Sequence, residues 1–117
     1  MGLMFPKNTQ RKKNKKHAKT SIIHNEKYCY LCWKRKGILN SRSLHIHHCF
    51  HGTANRRLAE EDGLYINVCV NCHELDKDAI HNDHNTDLFI MQQAQMMYEK
   101  KLGSREDFIK RYGKNFL

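Results

Sequence analysis

Cysteines and histidines of this chain are spaced in a way that packing alone does not require. Cys29 and Cys32 form one Cys-x-x-Cys pair, and Cys69 and Cys72 form a second after a gap of 36 residues. Two such pairs supply four thiolates, the donor set of a closed tetrahedral zinc site. Drawn together by one ion, they would also close a long loop that a small core could not hold. Reading all four as buried thiols would leave the paired spacing unexplained. Cys49 has no pair and reads as a small core residue. Among the nine histidines, His47 and His48 are adjacent, His73 directly follows Cys72, and His81 stands eight residues further on. Imidazole ligates transition metals and accepts protons near neutral pH, so this set is a candidate for metal-assisted chemistry.

The elements that must position these groups can be read from patterning. Around Cys29 and Cys32 the chain looks like a zinc knuckle, with Gly37 free to reverse direction. Residues 43–50 alternate Leu44, Ile46 and His48 against His45, His47 and Cys49, the period of a strand. Adjacent strand residues face opposite ways, so His47 and His48 can share a site only at a strand end. His45 lies on the face of His47 and is a candidate partner or extra ligand. Residues 53–63 are polar and read as a loop with a short helical turn, ended by Gly63. Residues 64–68 alternate again and predict a second strand that delivers Cys69 and Cys72.

A helix is predicted over residues 87–102, capped by Asn85 or Thr86 and ended by Gly103. Leu88, Met91, Ala94 or Gln95, Tyr98 and Leu102 share its inner face, with Met91, Met96 and Met97 as core filler. Ser104-Arg105-Glu106-Asp107 resembles a capping box opening a second short helix, with Phe108 and Tyr112 inward.

Composition bounds what these elements can build. At 117 residues, with 39% hydrophobic residues, the chain can bury only a thin core, which a structural metal would help. Lys and Arg outnumber Asp and Glu by 21 to 12, a balance that suits a polyanionic partner. The first 20 residues include Lys7, Arg11, Lys12, Lys13, Lys15, Lys16 and Lys19 and no acidic residue, so they carry seven of the nine net charges. Such a segment predicts a flexible basic arm over residues 1–22 that lies along phosphates, or a solvated tail. The folded domain is expected over residues 23–117. No run approaches the roughly 18 apolar residues that span a bilayer, and no signal peptide is evident. With paired cysteines spaced for zinc, a reducing, cytoplasmic location is expected.

In motif order, residues 27–100 resemble the HNH endonucleases: Cys-x-x-Cys, a strand with His-His, a loop, a second strand, then Cys-x-x-Cys-His and a later histidine. The resemblance implies an α+β fold: a small zinc-stapled, treble-clef-like ββα-metal core followed by C-terminal helices. It further implies that Cys29, Cys32, Cys69 and Cys72 hold structural Zn²⁺, and that His48 is the general base. His47, His73 and His81 would hold a catalytic Mg²⁺ or another divalent metal. The chain is also similar to small phage-encoded HNH proteins and to recombination-enhancement nucleases, which carry a basic arm before the core. That similarity implies DNA as substrate and a RecA-type recombinase filament as a partner.

Two positions depart from the family pattern. The asparagine expected five residues before Cys69 is Leu64, so bracing of the base would fall to Asn55 or to backbone groups. The ligand expected four residues after His73 is Lys77, which cannot ligate while charged. On an unbroken helix His73 and His81 would be about 12 Å apart along the axis, so either the chain loops between them or Asp76 is the third ligand.

For a nuclease, Arg11, Lys12, Lys13, Lys15 and Lys16 are candidate DNA contacts. Arg56 and Arg57 would grip a phosphate, or form a solvated pair. The competing readings are a zinc module that binds nucleic acid without cutting it and a protein-interaction scaffold.

Overall fold

A computed structural model describes residues 20–117. The predicted arm residues Arg11, Lys12, Lys13, Lys15 and Lys16 lie outside the described residues. The fold is a small α+β arrangement with a two-stranded sheet. In chain order it comprises α1 (Tyr30–Lys36), β1 (Leu44–His48), α2 (Thr53–Asp62), β2 (Tyr65–Cys69), a wide π-type turn (Asn71–Leu75), α3 (His84–Lys101) and α4 (Arg105–Tyr112).

β1 and β2 pair antiparallel, with Leu44 opposite Cys69, His47 opposite Ile66 and His48 opposite Tyr65. The pairing continues past β1, where the Cys49 N–H donates to the Leu64 carbonyl at 3.1 Å. Ser21 and Ile22, which fall within the segment assigned to the arm, lie against β2. The Ser21 hydroxyl donates to the Tyr65 carbonyl (2.5 Å), and the Ile22 N–H to the Gly63 carbonyl (2.8 Å).

Residues 53–62 form a ten-residue helix rather than a loop with one turn. Its Ala, Arg, Leu and Glu residues are good helix formers, and a polar surface face hides the apolar period. Glu60, Glu61 and Asp62 stand at its C-terminal end, where the helix dipole disfavours negative charge. Arg111 of α4 offsets this, donating from Nε to Asp62 (2.7 Å) and from Nη2 to Glu61 (3.1 Å). Gly63 then takes a left-handed conformation (φ 78°) and turns the chain into β2.

α3 begins three residues earlier than the periodicity predicts, because Asp83, rather than Asn85 or Thr86, caps it by accepting the Asn85 N–H. Ile90, Met91, Ala94, Gln95 and Tyr98 are buried, whereas Met96 and Leu102 are exposed. The predicted inner face is thus buried at Met91, Ala94, Gln95 and Tyr98, with Ile90 added to it and Leu102 left out. It is set by what α3 packs against, the aromatic residues of α4 and the C-terminus. Ser104 and Asp107 form the expected reciprocal capping box, and Phe108 and Tyr112 are buried. With Phe50 and Phe116 they make a ring cluster, the Phe50–Tyr112 centroids standing 4.6 Å apart. Cys49 is fully buried in the same core.

Candidate metal centres

Cys29 is the N-cap of α1, and its sulfur accepts the Cys32 N–H at 3.3 Å. Gly37 closes α1 in a left-handed conformation (φ 68°), and the returning segment is pinned where the Asn40 carbonyl accepts the Cys29 N–H. β2 delivers Cys69 at its end, and the π-type turn carries Cys72 inward. Cys32 Sγ lies 3.9 Å from Cys69 Sγ and 3.7 Å from Cys72 Sγ. Four sulfurs about 2.3 Å from one tetrahedral zinc would be about 3.8 Å apart. All four thiols are free and lie within 4.8 Å of one another. Burial, then the neighbouring Cys29, pushes the Cys72 thiol above its ordinary value. A divalent cation would supply the charge that lets four thiolates share this space. The cluster could hold a metal ion such as zinc.

The chain does not continue as a helix from His73 to His81. The π-type turn ends at Leu75, and Asp76 is extended. The Asn82 side chain donates to the carbonyls of Glu74 (2.6 Å) and Asp76 (2.8 Å), folding the loop back on itself. The Ile80 N–H then donates to the Cys72 carbonyl and the His81 N–H to the His73 carbonyl. His81 Nε2 thereby stands 3.0 Å from His73 Nε2. Arg35 of α1 ties down the far side of this loop, donating to the Asp78 carboxylate (2.9 Å), the Asp78 carbonyl and Thr86.

His47 completes this second grouping. Its ring centroid is 5.3 Å from that of His73 and 5.7 Å from that of His81, and ligand nitrogens of the three lie within 4.8 Å of one another. His47 is only 4% exposed, and its Nε2 is buried without a hydrogen-bond partner. A buried polar atom left in this state is costly unless something binds it, which suits a metal ligand. Burial, then the nearby His73 and His81, lowers the His47 pKa to about 3, so its lone pair stays available. Burial and His81 also lower that of His73. The three imidazoles fit a divalent ion with room for further ligands. Asp76 belongs to none of the metal-competent groupings among the described residues.

β1 ends at His48, and His47, His48, Arg56, His73 and His81 all line one open cleft of about 240 Å³. His48 Nε2 lies 2.5 Å from Glu60 Oε1 of α2. Arg57 lines only the adjoining, shallower opening, together with His48, Arg56 and Glu60. Asn55 does not face His48; its side chain donates to the Tyr112 carbonyl. The backbone link between Cys49 and Leu64 holds the strand end instead.

Glu60 and Arg35 were not among the expected site residues. His48 and Glu60 are separated by a bend and about two turns of α2, so no fixed sequence spacing signals their contact. His51 also gains a carboxylate, with Nε2 2.8 Å from Asp87.

Compared with models of protein families, with curated proteins and with solved structures, the chain matches none of them. No helix among the described residues is long and apolar enough to cross a membrane.

Proposed function

We propose that this chain is an HNH-type endonuclease that hydrolyses DNA phosphodiester bonds with a divalent metal. One observation carries the reading: three histidines converge around the orphaned His47 Nε2 in the same cleft that holds the His48–Glu60 pair. The order of knuckle, two-stranded hairpin and sulfur-bearing turn is also what a zinc-stapled, treble-clef-like ββα-metal core requires.

In this reading His47, His73 and His81 hold the catalytic cation, which would act as a Lewis acid toward the scissile phosphate and the leaving oxygen. His48 Nε2–H donates to Glu60, which leaves Nδ1 as the ring's acceptor for a proton from the attacking water. The Glu60 carboxylate fixes that tautomer and stabilises the imidazolium that forms. Arg56 reaches the same cleft and neutralises phosphate charge. The cationic residues from Lys7 to Lys19 lie along the DNA and make binding salt-dependent.

Nicking of supercoiled plasmid with magnesium or manganese tests the proposal, alone and on a RecA-type filament, with wild type and His48→Ala at equal zinc content. Metal-dependent nicking that disappears in the variant is the expected result. Zinc-loaded, folded protein that binds DNA yet never nicks it, alone or on the filament, would overturn the nuclease in favour of a binding module.

A further inference from the structure

His73 presents each ring nitrogen to a different set of neighbours. Nε2 faces His81 in the grouping with His47, whereas Nδ1 lies 3.0 Å from His45 Nδ1 and 3.3 Å from Glu74 Oε2. His45 Nδ1 is in turn 3.7 Å from the same carboxylate oxygen. These three atoms form a triangle with edges of 3.0, 3.3 and 3.7 Å. Ligands about 2.0–2.2 Å from one tetrahedral ion are about 3.4 Å apart, so a single transition ion spans this triangle. Two imidazoles, one carboxylate and an open outer side are a donor set that suits zinc and its neighbours better than magnesium. The half-exposed His45 and exposed Glu74 leave the position accessible to solvent.

We propose that His45, His73 and Glu74 form a further transition-metal site, which excludes the one at His47, His73 and His81 because both need His73. A neutral imidazole has one ring nitrogen with a free lone pair, the other carrying hydrogen. An ion on Nδ1 therefore leaves an N–H at Nε2, aimed at the nitrogens of His47 and His81. An ion on Nε2 leaves an N–H at Nδ1, for which His45 and Glu74 are the acceptors. The same two side chains thus either take an ion or receive the hydrogen of His73. If the nuclease reading holds, on which this consequence rests, zinc at the outer site removes a ligand from the catalytic cation and inhibits cutting.

Equilibrium dialysis of cobalt into protein whose cysteines already carry zinc tests the site without DNA, so its outcome is separate from that of the nuclease reading. Wild type should retain one cobalt beyond the zinc, and His81→Ala should still retain one, now through the outer site. Adding Glu74→Gln to His81→Ala should then weaken cobalt binding by more than about 100-fold, beyond the 10–100-fold of a change outside the ligand shell. His81 and Glu74 are both exposed, so these variants should keep the wild-type melting temperature. Cobalt binding in His81→Ala that is indifferent to Glu74→Gln would overturn the outer site. Two cobalt ions in wild type beyond the zinc would overturn the exclusion.

Discussion

Cys72 and His73 are neighbours in sequence, yet they belong to two clusters whose surroundings differ. Three of the four cysteines are buried, and the fourth sulfur is approached by the Asn40 side chain. The histidines grade outward from buried His47 through half-buried His73 to exposed His81, and they open on a cleft. A structural ion is enclosed by its protein ligands, whereas a reacting ion keeps a free position. Burial thus separates the proposed cross-link from the proposed working site even where the chain moves between them in one residue. The dependence is also one-way. The cysteines position the turn that carries His73, while His81 hangs on the outside of it.

The largest effect that sharpens this contrast is loss of the cysteine cluster. Structural zinc contributes about 10–16 kcal/mol in small zinc-dependent folds, as much as the whole net stability of about 5–15 kcal/mol of an ordinary domain. Cys72→Ser, or a strong chelator, should abolish the cooperative melting transition seen by circular dichroism. His81→Ala should move the same transition by no more than about 0.5 kcal/mol, the range of surface changes. Equal damage from the two variants would break the distinction between staple and site.

Within the open cluster, the next effect is the one the proposed nuclease activity requires. His48→Ala should slow nicking by about 10²–10⁴-fold, the usual worth of a general base, with the melting temperature unchanged. Glu60→Gln keeps shape and a hydrogen bond but lets the amide hold the wrong tautomer of His48. It should cost less than His48→Ala and at least ~10-fold in the single-turnover nicking rate. A silent Glu60→Gln would mean that the 2.5 Å contact does not set the reacting form of the ring.

The two regions were not equally legible in sequence. Cysteine pairing is local, with two residues between partners, so the spacing itself implies a turn that aims two sulfurs together. The same is true of the Ser104 capping box, whose partners are three residues apart. The histidine cleft depends on contacts across 26 and 34 residues, from His47 to His73 and His81, and its loop is shaped by Asn82 and Arg35, which carry no metal-ligand signature. Motif order placed His47, His73 and His81 together as candidates, but the spacing from His73 to His81 left Asp76 open until the turn geometry was known. Helix α2 was hidden by its polar face and its acidic end, which Arg111 and Tyr112, about 50 residues later, help to make tolerable. Leu102 fits the apolar period of α3 but faces solvent, and Met96, expected as core filler, is exposed as well. Periodicity gives the angle between residues, not which direction meets the core.

The buried end of the histidine grouping should also be visible as a pH effect. The folded pKa of His47 is lowered from 6.5 to about 3, so its neutral form is favoured by folding. Stability from this group is fully present above 6.5 and declines as pH falls from 6.5 toward 3, because the unfolded chain then takes up a proton that the folded chain refuses. The limiting slope for one group is about 1.4 kcal/mol per pH unit. NMR titration of ring protons in the magnesium-free protein should leave the His47 signals flat from pH 8 to about pH 4. A His47 midpoint near 6 would instead place that ring in contact with water.

Arg56 and Arg57 give the finest division of the open region. Arg56 lines the cleft of His47, His48, His73 and His81 as well as the adjoining opening, whereas Arg57 lines the adjoining opening alone. A guanidinium beside the reacting phosphate contributes where charge develops. One that only touches flanking DNA contributes to binding and is screened by salt. Arg56→Ala should therefore lower the single-turnover nicking rate at saturating protein by several-fold, on the order of 1 kcal/mol. Arg57→Ala should leave that rate unchanged and only raise the protein concentration needed for half-maximal cutting, an effect that fades as salt is raised. If both variants behave like Arg57→Ala, the cleft meets DNA without a guanidinium at the reacting phosphate, and that charge would rest on the metal-bearing histidine side alone.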